Sequence, residues 1–228
     1  MPVRSSVSRT LTALLSGRLV AGPRVEDAVR VAGELVSDGR RVALEHVPAP
    51  GDDAAGEFAA LIAEVHAAGL SADCELTLPP ELHRLVPVAA AAGLAVASTG
   101  DLAGATVVLR ADDVDAEERS RAAASGRVRL TEGRGSAADL SFVRCLNVLM
   151  AADGHPEIAA SDRRLIAIAG ERAAWNGRTA DSWEHVMPYG VLTDEQHRLV
   201  AGGYTVRVAV PSGGGAAALV VRRLGGRA

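Results

Sequence analysis

Eight short runs rich in β-branched residues, separated by longer alanine- and leucine-rich stretches, constrain this sequence more than any other feature. The strand-like runs cover residues 41–47, 72–77, 94–98, 105–110, 127–130, 157–160, 182–187 and 204–210. Helical periodicity marks residues 25–36, 54–68, 79–92, 116–124, 138–151, 162–175, 194–201 and 214–224. In the first of these, Ala28, Val29, Val31, Ala32 and Leu35 share one face. Such alternation implies parallel strands, because a parallel neighbour is reached only through a crossover. Eight units favour the α/β class as a closed (βα)8 TIM-like barrel over an open doubly wound sheet. One link departs from the pattern. Thr99 to Gly104 is too short for a crossover helix, so the expected barrel is distorted and lacks the helix between its third and fourth strands. Pro79-Pro80 suits a helix first turn, and Asp162 and Thr193-Asp194 suit N-caps.

A chain of 228 residues that is 48% hydrophobic can bury a sizeable core and is not a disordered polymer. The division expected is an N-terminal segment over residues 1–17 and one barrel domain over residues 18–228. A net charge of −4 without a basic, aromatic stripe argues against nucleic-acid binding. Arg9 and Arg18 bracket the apolar run Leu11 to Leu15, and no small-residue cleavage site follows it. No apolar run reaches the roughly 20 residues that span a bilayer, so no integral membrane segment is expected and the chain reads as cytoplasmic. Cys74 and Cys145 lie far apart in apolar runs and read as two buried thiols.

The sequence contains no lysine, so all 24 basic residues are arginine. Imine chemistry on lysine, a P-loop lysine and a lysine base are all excluded. The histidines show no metal-ligand spacing, and no metal site is expected. His66, His83 and His197 fall on helices as surface residues. His155 lies in an Asp-Gly-His-Pro turn, and His46 and His185 are the histidines at strand ends. No Gly-x-Ser-x-Gly elbow supports a serine nucleophile.

In a barrel of this type, functional groups gather at the C-terminal ends of the strands. The strongest local signal there follows the last strand, where a glycine-rich loop leads into a helix carrying Arg222-Arg223. Adjacent helical positions point about 100° apart, so two planar guanidinium forks can approach one carboxylate from two sides. A basic helix end complementing the helix dipole is the plainer reading of the same pair.

The segments Asp139 to Met150, Asp162 to Ile166, Asp194 to Leu199 and Tyr204 to Val208 together resemble the flavin-dependent proline dehydrogenases, especially the short bacterial form. Arg18 to Gly22 and Val42 to His46 are similar to that family too. The resemblance covers most of residues 18–228. It implies a distorted barrel, FAD as cofactor, and oxidation of L-proline to 1-pyrroline-5-carboxylate with electrons passed to a quinone. Arg222 and Arg223 match the pair that holds the proline carboxylate. Val128 to Leu130 followed by Gly133 resembles the flavin-binding strand. That gives Arg129 and Gly133 a cofactor role, with Arg110, Ser161 and Glu184 as the other cofactor-side candidates.

The departures from the family pattern are concentrated in the pocket. Glu75 stands where the family has a lysine, Ser98 or Thr99 near an aspartate, Arg110 at a glutamine, and Glu132 at a second lysine. Ser161 replaces a histidine, Val186 a glutamine, Ala209 a tyrosine, Leu219 a tyrosine and Gly226 a glutamate, and the loop Arg134 to Ala138 is shortened. Losing one buried charge partner typically costs about 2–5 kcal/mol. Several such changes together predict reduced or lost catalysis. Three readings stay open: a working proline dehydrogenase, a non-catalytic partner of a complete one, and a barrel for a different small carboxylate, with Arg110 and Glu75 as a new pair.

Overall fold

The computed structural model describes residues 18–225; the segment 1–17 and Gly226 lie outside the described residues. Eight parallel strands close in sequence order: β1 (Arg41–His46), β2 (Cys74–Thr77), β3 (Ala95–Ser98), β4 (Thr106–Arg110), β5 (Arg127–Thr131), β6 (His155–Ala159), β7 (Glu184–Pro188) and β8 (Val206–Ser212). Closure is made by β1 against β8, in register from Arg41 opposite Arg207 to His46 opposite Ser212. The helices described are α1 (Val25–Ser37), α2 (Ala54–Ala67), α3 (Val86–Ala91), α4 (Ala116–Ala123), α5 (Ser136–Ala151), α6 (Arg163–Trp175), α7 (Thr193–Ala201) and α8 (Ala216–Gly225). The expected distorted (βα)8 barrel is therefore present. The missing crossover does not open it. β3 and β4 still pair, Ala97 with Thr106 and Ser98 with Val107, although this seam is the shortest in the sheet.

The core lies between the strands and the helix ring. Outward-facing Val42, Leu44, Leu76, Leu130, Ile158 and Val208 meet the apolar faces of the helices, including Ala28, Val31, Ala32 and Leu35 of α1. Burial of these faces, at about 25 cal/mol per Å², holds the ring to the barrel. Asp53 and Asp162 cap α2 and α6 by accepting from Gly56 N at 3.1 Å and Arg164 N at 2.7 Å. Arg178 donates to the carbonyls of Leu149, Met150, Ala152 and Gly154, binding the last turn of α5 and the turn after it. Both cysteines are buried free thiols, and burial pushes the Cys74 thiol up to about 12.

Three local expectations are corrected. The helix foreseen over residues 79–92 is a 3-10 turn (Pro80–Leu85) followed by the short α3, because Leu82 leaves helical geometry and Pro87 lacks an N–H. Thr193 opens α7 rather than capping it; the N-cap is Leu192, in the left-handed region at φ 50°. His155 is not in a turn but begins β6.

Candidate functional site

The bore of the barrel is built in layers, and the strand period of two decides which side chains enter it. Near the N-terminal side, inward positions on six strands carry Arg41, Glu75, Arg127, Arg129, Glu157, Glu184 and Arg207. Arg129 donates from Nε to Glu157 at 2.8 Å and from Nη2 to Glu75, whose other oxygen accepts from Thr106 Oγ1 at 2.6 Å. Glu184 accepts from Arg41 Nη1 at 2.8 Å and from Arg207 Nε at 2.7 Å, with His155 Nε2 at 3.2 Å. Glu157 also takes Arg127 Nη2 at 2.7 Å. Burial alone would raise both carboxyls; instead Arg129 and Arg207 hold Glu157 below its ordinary range, and His155, Arg207 and Arg41 do the same for Glu184. Charges this deep persist only because each has several partners.

Above this layer the bore turns small and uncharged. Ala43, Val186 and Ala209, with the half-buried Ala159, form their own apolar cluster, separate from the main core. Register ties them together: Ala43 lies opposite Ala209, and Ala159 opposite Val186.

The rim at the C-terminal ends of the strands is charged again. Arg223 grips Glu45 with both ends of its fork, Nη1 to Oε2 at 2.5 Å and Nη2 to Oε1 at 3.0 Å. Burial would weaken its proton, but Glu45 raises the affinity for it. Arg134 Nη2 donates to the Arg222 carbonyl at 3.3 Å, which brings the β5–α5 loop against α8. Arg110 binds Asp112 with Nε at 3.1 Å and Nη2 at 2.9 Å. Gly133 is packed so closely that an added Cβ would lie 2.7 Å from the Cβ atoms of Ala138 and Asp112. Glu132 accepts from Ser161 N at 2.6 Å, Ser161 Oγ at 3.2 Å and Asp162 N at 2.9 Å, so an anion of the chain itself occupies the start of α6.

These positions separate the sequence-derived candidates into two groups. Arg222, Arg223, Arg110, Gly133 and Ser161 share the rim, together with Glu45 and Glu132. Arg129 and Glu184 do not: Arg129 sits in the ion layer at 3% exposure, and Glu184 begins β7 instead of ending it. The proposed Arg110–Glu75 pair does not form, since Asp112 holds the one and Arg129 the other. His46 is enclosed between Ser212 Oγ at 3.1 Å and Glu57 Oε2 at 2.6 Å, and Ser212 is fully buried. His185 faces outward among the Trp183 and Tyr204 rings. Sequence reading missed the ion layer as a unit. Its only trace was charged residues at alternate positions of predicted strands, as in Arg127 and Arg129.

The barrel fold has counterparts among solved structures. Proline utilization A from Bdellovibrio bacteriovorus, inactivated by N-propargylglycine, matches with a TM-score of 0.82 and 14% identity, over 96% of this chain and 33% of that one. The fold is that of a proline utilization A barrel. A mutant of the Bradyrhizobium japonicum proline utilization A matches at TM-score 0.68 and 16% identity, over 92% and 30% of the two chains. The Corynebacterium freiburgense proline utilization A matches at 0.60 and 13%, over 95% and 31%. This chain thus spans about a third of the proline utilization A chains it matches. No family model and no curated protein matches the sequence. Among the described residues no helix is long and apolar enough to cross a membrane.

Proposed function

We propose that this chain is a proline dehydrogenase-like barrel whose arginine rim binds a small carboxylate, with the oxidation of L-proline to 1-pyrroline-5-carboxylate reduced or lost. The observation that carries the reading is the Arg223–Glu45 fork: the guanidinium on α8 already holds a carboxylate in bidentate geometry at the mouth of the barrel. The proline utilization A fold supports the proline dehydrogenase-like part of this reading.

The resemblance implies FAD, and the residues present do not fit it. Arg129, the surviving match on the flavin-binding strand, spends Nε and Nη2 on Glu157 and Glu75, and its Nη1 lies 3.4 Å from Thr77 Oγ1. Arg110 is bound to Asp112, and Glu132 holds Ser161. No cation is left facing the bore to meet a flavin from β5. Six aromatic side chains in 228 residues also offer little ring surface to pack on one.

A visible spectrum of the purified protein, before and after added FAD, tests this reading. The expected result is a colourless protein that takes up no flavin, yet is thermally stabilised by a small carboxylate in a manner lost in Arg222→Ala. A yellow protein bleached by L-proline would instead establish a working dehydrogenase.

A further inference from the structure

We infer that the N-terminal opening of the barrel, at the end of the bore away from the arginine rim, is an anion site of its own. Arg41, Arg127 and His155 there bind a tetrahedral oxyanion, either inorganic phosphate or the phosphate group of a small ester. This site is independent of the carboxylate reading above.

The ion layer is unbalanced. It sets four guanidiniums, those of Arg41, Arg127, Arg129 and Arg207, against three carboxylates, those of Glu75, Glu157 and Glu184. One positive charge is left without a counterion inside the layer. The hydrogen bonds show where the surplus lies. Glu184 Oε1 is surrounded by Arg41 Nη1 at 2.8 Å, Arg207 Nη2 at 3.2 Å, His155 Nε2 at 3.2 Å and Arg127 Nη2 at 3.4 Å. A carboxylate oxygen offers about two lone pairs, so this one cannot satisfy every group aimed at it. Arg127 Nε is in addition buried without any partner.

Exposure decides which of these groups can meet a ligand. The side chains of Arg129 and Arg207 are almost wholly buried. Arg41, Arg127 and His155 are the first residues of β1, β5 and β6, and their side chains are 42%, 40% and 24% exposed, whereas Glu184 is at 0%. Water reaches these donors and stops at the acid they share. Ala95, in register with Glu75 at the start of β3, is also exposed, and its small side chain leaves that edge of the opening clear. The acids outside the layer do not remove the surplus. Among the described residues Asp73, in the turn before β2, pairs with no arginine, and Asp181 is exposed and bound to Thr179.

The directions of the donors set the class of ligand. β1 and β5 stand on opposite sides of the eight-strand ring, and β6 adjoins β5. A planar carboxylate is satisfied by a single guanidinium fork. Donors that converge from three strands suit an ion whose oxygens point in several directions, and arginine is the usual partner of phosphate.

Calorimetric titration of the full chain with inorganic phosphate, at an ionic strength held constant with sodium chloride, tests the site. The unaltered chain should bind phosphate at millimolar concentration, and Arg222→Ala, altered at the opposite end of the bore, should bind it equally well. Arg127→Gln should bind it roughly tenfold more weakly or not at all. Glycerol 3-phosphate separates the two sources: affinity equal to that of phosphate assigns the site to esters, and binding of phosphate alone assigns it to the free ion. If Arg127→Gln does not fold, the His155 imidazole resonances of the unaltered chain decide. Phosphate should move them, and sodium chloride at the same ionic strength should not. Absence of phosphate binding, its loss in Arg222→Ala, or His155 resonances indifferent to phosphate would each overturn the inference and leave the carboxylate reading untouched.

Discussion

Glu75 on β2 and Arg129 on β5 face each other across the bore, each almost wholly withdrawn from solvent and joined by a direct ion pair. The carboxylate at Glu75 makes Arg129 part of the barrel's own interior. Removing one partner of a buried pair leaves an uncompensated charge, typically at about 3–5 kcal/mol. Glu157 still contacts Arg129, so Glu75→Gln should fall near the lower end, about 3 kcal/mol, in urea unfolding. The double variant Glu75→Leu with Arg129→Leu should recover much of that loss. A single variant as stable as the parent would show that the pair is energetically idle.

The buried histidine sets the first acid-sensitive step. Burial among Trp183 and Tyr204 lowers His185 to about 4; Glu195 opposes this shift and Arg198 adds to it. A folded pKa below the unfolded value near 6.5 means the unfolded chain takes the proton first. Stability is therefore intact above pH 6.5 and declines as pH falls towards 4, by on the order of 3 kcal/mol. In His185→Phe that limb should be flat when melting temperature is followed against pH.

A second, steeper acid limb belongs to Glu157 and Glu184. Both are held below the ordinary carboxylate range, so their contribution is present above about pH 4.5 and is lost below it. Circular dichroism from pH 5 to 2 should show cooperative loss of the barrel beginning in that window, unchanged in His185→Phe. An acid-resistant fold would contradict the ion layer's role.

Arg178 ties down the end of α5 through carbonyls that the helix leaves without donors. Arg178→Ala should cost about 2 kcal/mol, since charged hydrogen bonds contribute roughly 1.5–3 kcal/mol each and water replaces some of them. Hydrogen exchange should rise in the turn between α5 and β6 and remain unchanged at the rim.

At the mouth, Glu45 competes with any ligand for Arg223. Their pair is partly exposed and worth little to stability, under about 1 kcal/mol. Glu45→Gln should leave the melting temperature nearly unchanged while tightening binding of a small carboxylate several-fold. Weaker binding would mean that Glu45 positions the arginine instead of blocking it.

The sequence by itself determined the barrel. Eight β-branched runs, the helical faces between them and the short Thr99 to Gly104 link are local patterns, and local patterns suffice to specify parallel strands, a helix ring and its one gap. It also placed the arginine pair on the last helix, since adjacency on one helix is visible in the chain. Only the tertiary structure decided what the pocket charges do. Glu75 and Arg129 are 54 positions apart, and Glu45 and Arg223 are 178 apart. Whether two such groups meet depends on barrel closure, strand register and the side to which each strand turns its residues. A one-residue slip in any strand would have sent its charges into the helix ring instead. Burial, too, is a property of the closed barrel: only after closure are Glu75, Arg129, Glu157, Glu184 and Arg207 withdrawn from water together, with the cluster of Ala43, Val186 and Ala209 packed above them.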